Sequence, residues 1–106
     1  MKVYAEKMRY LLRHQHFECP ILAANGREAT ITSKPDLDHS RVPNTKHNRR
    51  KYPLLIDSLL NLRAVDHHAH LHLPRSQVRM SGYNAAKLEA FLRRHPKTAE
   101  WVNNPK

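Results

Sequence analysis

Two short stretches of the chain hold residue types suited to metal-assisted or acid–base chemistry. One is the dipeptide Asp38–His39. The other opens at Asn61 and runs into the histidine-rich segment from Asp66 to His72, Asp-His-His-Ala-His-Leu-His. Asp66 stands four residues before His70. On a helix that spacing places both on one face, one turn apart, where both can approach a single cation. His68 and His72 share a different face. Mixed carboxylate and imidazole ligands admit magnesium or manganese on one side and zinc, cobalt or nickel on the other. Taken singly, each piece has a plainer explanation. Asp-His is a common dipeptide, Asn61 can be a turn residue, and Asp66 can be a helix N-cap. The histidine run can be a solvated helix or an adventitious metal-binding tract.

Prolines punctuate the chain that must position these residues, and glycine is scarce, at Gly26 and Gly82 only. No internal repeat or low-complexity linker is present. Tyr4, Met8, Leu11 and Leu12 form one apolar stripe, which predicts a helix over 3–15. Asn25–Gly26, between Pro20–Ala24 and Ala29–Thr32, signals a hairpin. The approach to Asp38 is polar and interrupted by Pro35, so a strand there is short. No helix or strand pattern survives from Ser40 to Pro53. Pro53 can open a helix through Leu60. Asn61–Val65 is a strand candidate, and Asp66 can cap a helix that Pro74 ends. A last helix spans about Asn84–Arg94 and stops at Pro96. Beyond it the tail adds at most one turn, with Trp101 packing back.

Charge is the strongest global property. Nineteen Lys and Arg oppose nine acids, a formal +10, with nine His besides. Such a field attracts polyanions, nucleic acid first and an anionic membrane surface second. The longest apolar run is Ile21–Ala24, so nothing in the sequence can span a bilayer. No secretory signal is visible at the N-terminus. With one cysteine, Cys19, neither an intrachain disulfide nor an all-cysteine zinc site can form. An intracellular, cytoplasmic setting is the corresponding expectation, as is burial of Cys19 as a small apolar side chain. At 106 residues the chain suits one domain, 1–106, with a thin core.

The order of the two chemical stretches resembles the signature of the HNH, or ββα-metal, nuclease superfamily. Leu37–Asp38–His39 comes first, then a loop of about twenty residues. Asn61–Leu62–Arg63–Ala64–Val65 and Asp66–His67–His68–Ala69–His70 follow. Many members carry a structural zinc knuckle of two Cys-x-x-Cys pairs. Here those positions fall on Cys19 and Leu22, and on Asp66 and Ala69, so three of the four thiols are missing. The chain therefore resembles zinc-knuckle-less, phage-type members over roughly residues 37–73, with no structural zinc expected.

The resemblance implies an α+β fold, a small ββα-metal core with flanking N- and C-terminal helices. It implies a metal-dependent endonuclease that hydrolyses DNA phosphodiester bonds. His39 would be the general base, with Asn61 holding its ring in orientation. Asp38 and His70 would bind one divalent ion, magnesium or manganese foremost, with Asp66 behind them. His67, His68 and His72 are expected at the surface or facing phosphate. Between Asp38 and Asp57 the loop carries no acid but holds Arg41, Lys46, Arg49, Arg50 and Lys51. Placed beside the base, these are expected to grip phosphates rather than read bases. Duplex or branched DNA is the expected substrate, nicked or cut at a junction, in the host cytoplasm if phage-encoded. A homodimer could form through the terminal helices; no membrane partner is expected. Two other functions fit the same residues: a non-catalytic basic nucleic-acid-binding protein, and a His-rich metal-binding protein.

Overall fold

The computed structural model describes residues 2–32, 34–74 and 79–105. Among them the fold is α+β, with six helices and one two-stranded antiparallel sheet. In chain order the elements are α1 (Lys2–His14), α2 (Pro20–Ala24), β1 (Pro35–His39), α3 (Lys46–Lys51), β2 (Leu62–Asp66), α4 (His67–His72), α5 (Gly82–Arg94) and α6 (Pro96–Asn103). No helix among the described residues is long and apolar enough to cross a membrane.

A two-stranded sheet is marginal in water unless its faces are covered. Strand alternation decides which residues each cover meets. The register pairs Asp38 with Arg63 and Asp36 with Val65, while His39 opposes Leu62 and Leu37 opposes Ala64. One face presents Leu37, Leu62 and Ala64 to Met8 and Leu11 of α1. The other presents Val65 to Ala69 of α4 and to Cys19 and Ile21 at α2. Asp36, Asp38 and Arg63 share that second face, so the sheet is half core and half charged.

The outer edge of β2 is closed by side chains rather than by a third strand. Gln15 donates to Ala64 O and accepts from Ala64 N, both at 2.8 Å. Cys19 Sγ accepts from Asp66 N at 3.2 Å. The thiol is fully buried, and Leu22 and Ala69 lie in the same apolar cluster.

Five local expectations change. Pro20–Ala24 is a helix, not a hairpin arm. Pro20 opens it, and Asn25–Gly26 terminates it, with Gly26 at φ +68° and Arg27 N bonded to Leu22 O. The basic loop contains α3, because Thr45 caps it by accepting from Asn48 N at 3.1 Å. Residues 53–60 form turns instead of a helix. Leu59 N bonds to Val102 O rather than to Leu55 O, and Asn61 takes Ile56 O, so groups a helix would pair are held from outside it, while Glu89 of α5 takes Leu54 N and Leu55 N. Pro96 does end α5, but it also opens α6, a full eight-residue helix. Trp101 meets Tyr10 edge-on at 5.5 Å, yet stays 48% exposed. β2 also runs one residue later than expected, to Asp66.

Candidate active site

The site is built at the C-terminal end of β1 and the start of α4. Asp36 and Asp38 lie two residues apart on β1 and therefore project from one face, toward α4. Asp38 is 3% exposed. Its Oδ2 accepts from Arg63 Nε at 2.8 Å, the direct cross-strand neighbour. Its Oδ1 lies 3.6 Å from His70 Nε2. His70 stands on the first turn of α4, which Asp66 caps by accepting from Ala69 N at 3.2 Å. The Asp66 carboxylate is buried and caps its own helix.

Asp36 Oδ2 accepts from His70 Nδ1 at 3.1 Å and from His67 Nδ1 at 2.8 Å. Burial pushes the Asp36 carboxyl up, but those two hydrogen bonds and the charges behind them prevail and hold it below the usual range. An ionised carboxylate only accepts, so the His70 proton is assigned to Nδ1. In the neutral ring Nε2 then carries a lone pair directed toward Asp38. Two acceptors that close are stabilised by a proton or a cation between them. Ligands about 2.1 Å from one ion, at angles between square and tetrahedral, lie roughly 3.0–3.4 Å apart. A separation of 3.6 Å fits such an ion after an adjustment of a few tenths of an ångström. Among the described residues no group of three or more His, Cys, Asp or Glu side chains forms a metal set. Two protein donors leave most positions of an ion to water and phosphate oxygens, the habit of magnesium.

His39, the next residue, lies on the other face of β1. Its Nε2 donates to Asp57 Oδ1 at 2.9 Å, which leaves Nδ1 as the acceptor in the neutral ring. Asp57 also takes a two-pronged bond from Arg49 of α3, at 2.8 and 3.1 Å. Burial raises the Asp57 carboxyl, and the Arg49 and His39 hydrogen bonds and charges more than reverse that. The same pair raises Arg49. Lys7 Nζ of α1 donates to Asp57 O; burial lowers its pKa against the pull of the Asp57 charge.

Asn61 is fully buried, and its side chain hydrogen-bonds to backbone groups. Its Oδ1 accepts from Arg41 N at 3.0 Å and Val42 N at 2.7 Å. Its Nδ2 donates to Val42 O at 3.0 Å and Ile56 O at 2.9 Å. It staples the turn after His39 to the turns before β2, and does not reach the imidazole. It is a positioning residue.

A cleft of about 380 Å³ crosses the open edge of β1 and joins both faces. His39 and Asp57 line it with Asp36, His70, Arg49 and Lys7. Asp38 does not line it directly. Arg41, Lys46, Arg50 and Lys51 are exposed, and Lys51 lies over the Tyr52 ring. Arg49, grouped with them in sequence, is held by Asp57 instead. Arg79 Nη1 reaches His39 O at 3.2 Å. No known protein-family model matches the chain, and no curated protein or solved structure matches it either.

The residues that sequence reasoning missed are Asp36, Asp57 and Arg63. Asp36 had a signal: Asp-x-Asp on a strand sends both carboxylates to one face. Asp57 had none, since only the turn over 53–60 brings it to His39.

Proposed function

We propose that the chain is a metal-dependent endonuclease of the HNH, or ββα-metal, kind, which hydrolyses DNA phosphodiester bonds. The observation that carries this is the approach of Asp38 Oδ1 to His70 Nε2, at 3.6 Å, across a β1–β2–α4 unit. The next residue after Asp38 supplies an imidazole with an acceptor nitrogen. The apolar packing of Cys19, Leu22 and Ala69 supports the knuckle-less variety, because a hydrophobic cluster stands where zinc-bearing relatives would place thiolates.

In this proposal His39 Nδ1 takes the proton of the attacking water. Asp57 keeps the other ring proton on Nε2 and steadies the imidazolium that forms, an electrostatic role that does not require Asp57 to take the proton. Asp38 and His70 would hold one divalent ion, magnesium or manganese foremost, and Asp36 turns the His70 ring so that Nε2 faces it. That ion would stabilise charge on the phosphate and on the leaving oxygen. The exposed Arg41, Lys46, Arg50 and Lys51, from the segment whose Arg49 lines the cleft, would supply backbone contacts that do not depend on base identity. A monomer with one such site nicks one strand; a dimer could cut both.

One contact favours a non-catalytic nucleic-acid-binding protein instead. Arg63 already neutralises Asp38 at 2.8 Å, so the carboxylate is satisfied without a metal. Incubation of the protein with supercoiled plasmid and with branched DNA separates the two functions. The nuclease converts either substrate with magnesium or manganese and not with chelator. The binding protein shifts both and cleaves neither.

A further inference from the structure

We propose a second nucleic-acid contact, on the outer side of α1, whose ligand is an unpaired strand. It rests on the nucleic-acid function proposed above and narrows the substrate to DNA with a single-stranded segment beside the duplex. A cleft of about 320 Å³ lies between α1 and the end of the chain, bordered by Arg9, Tyr10, Arg13 and His14, with Glu6 and Pro105 completing it. Tyr10 stacks on His14, with centroids 5.1 Å apart and planes at 15°. Trp101 of α6 meets Tyr10 at 5.5 Å and 87°.

Three features ask for a ligand here. Trp101 keeps 48% of its surface in water, unusual for the largest aromatic side chain when a neighbouring helix is within reach. Arg9 and Arg13 are like charges one turn apart on α1 and repel each other. Neither takes part in any ion pair among the described residues. Guanidinium groups beside the half-buried Tyr10, the exposed His14 and, next to the cleft, the exposed Trp101 are what a single strand requires, phosphates on the cations and bases on the rings. Duplex DNA offers the phosphates but keeps its bases stacked inside. An acidic protein segment would satisfy the charges and leave the rings without a partner.

The placement also fits. Tyr4 and Lys7 of α1 line the candidate active cleft. At 1.5 Å per residue, Arg13 lies about 9 Å along the helix from Lys7. A strand peeled from a duplex in the active cleft can therefore reach the aromatic patch within a few nucleotides.

Trp101 is the only tryptophan in the chain, so its emission reports on this patch alone. The test uses His39→Ala without metal, titrated with oligothymidylate, blunt duplex, heparin and polyglutamate. Saturable quenching by oligothymidylate is expected, well beyond that caused by the other three. By anisotropy of labelled DNA, Trp101→Ala and Arg9→Ala/Arg13→Ala should bind the single strand about tenfold or more weakly, with duplex binding unchanged. Trp101→Phe should bind nearly as the parent does. Equal quenching by heparin, duplex or polyglutamate overturns the proposal, as does unaltered single-strand affinity in a Trp101→Ala variant with native circular dichroism. If duplex binds and is nicked in the wild type while oligothymidylate leaves Trp101 unperturbed, this inference fails and the nuclease proposal stands. If no DNA binds at all, both fail.

Discussion

Asp38 and His70 approach to 3.6 Å, the carboxylate from β1 and the imidazole from α4. Each is steered from behind. Arg63 takes the second oxygen of Asp38, and Asp36 takes the second nitrogen of His70. Asp38 Oδ1 and His70 Nε2 face each other and are the pair that would hold the divalent ion of the proposed function. The following experiments test the parts of this arrangement in turn.

Removing Asp38 should destabilise the fold through Arg63. The pair is nearly buried, 3% exposed on Asp38 and 15% on Arg63. Breaking one side of such a pair costs about 3–5 kcal/mol, because the remaining buried charge loses its direct counter-charge. Asp38→Ala should therefore shift the urea midpoint strongly downward. Asp38→Ala/Arg63→Met should recover most of that loss while still failing to bind manganese by calorimetry. A single variant as stable as the wild type would show that the pair is not buried in solution.

Asp36→Asn should weaken metal binding without removing a ligand. Loss of a group that orients a metal-binding histidine typically costs about 10–100-fold in affinity. Manganese titration followed by paramagnetic resonance measures that directly. Nitrogen-15 NMR of the His70 ring supplies the cause, since the variant should no longer hold the proton on Nδ1. Unchanged affinity and an unchanged tautomer would leave Asp36 with no part in the site.

Part of the candidate site is legible along the chain because its residues lie on or beside local elements: Asp38 and His39 close β1, Asn61 immediately precedes β2, and His70 lies within α4. The helices α1, α4 and α5 follow from apolar spacing and, for α4, from the Asp66 cap; α5 begins at Gly82, ahead of the expected Asn84, where Ser81 caps it. What is not legible arises from contacts between distant segments. Leu55/Leu59 and Ile56/Leu60 spacing reads as a helix. Val102 O instead takes Leu59 N and Asn61 takes Ile56 O, and the resulting turn is what carries Asp57 to His39. Arg49 reads as a phosphate contact because its neighbours are basic; its carboxylate partner lies on the next turn of chain, outside the reach of any local pattern.

Asp57→Asn should reveal its effect through pH. The folded-state pKa of Asp57 is lowered, and its unfolded value is about 3.9. Its stabilising contribution is therefore complete above about pH 4 and is lost as pH falls through the lower folded value. The gap in urea midpoint between wild type and variant should not decline between pH 7 and about 5, and should close below about 4. With the Asp57 side chain 42% exposed, solvent screens the interaction and the gap should be small. A gap that widened on acidification below about pH 4 would reverse the assigned sign.

Asn61→Asp should be more damaging than its size suggests. The new oxygen would face Val42 O and Ile56 O, which now accept from Nδ2, and it has no proton to offer when ionised. Asn61→Ala loses all four bonds and leaves Arg41 N and Val42 N to find partners, at about 1–3 kcal/mol for each buried group left unsatisfied. Thermal unfolding should place both variants well below the wild type. If either melts like the parent, Asn61 does not hold the turn after His39.

The most direct measurement is the single-turnover cleavage rate of His39→Ala against wild type, on supercoiled plasmid with saturating manganese, alongside DNA affinity for both. Loss of a general base costs about 10²–10⁴-fold in rate. The nuclease assignment predicts that loss with DNA binding intact and no cleavage by either protein in chelator. Equal rates for the two proteins, or a wild type that binds DNA and never nicks it with any divalent metal, would contradict it.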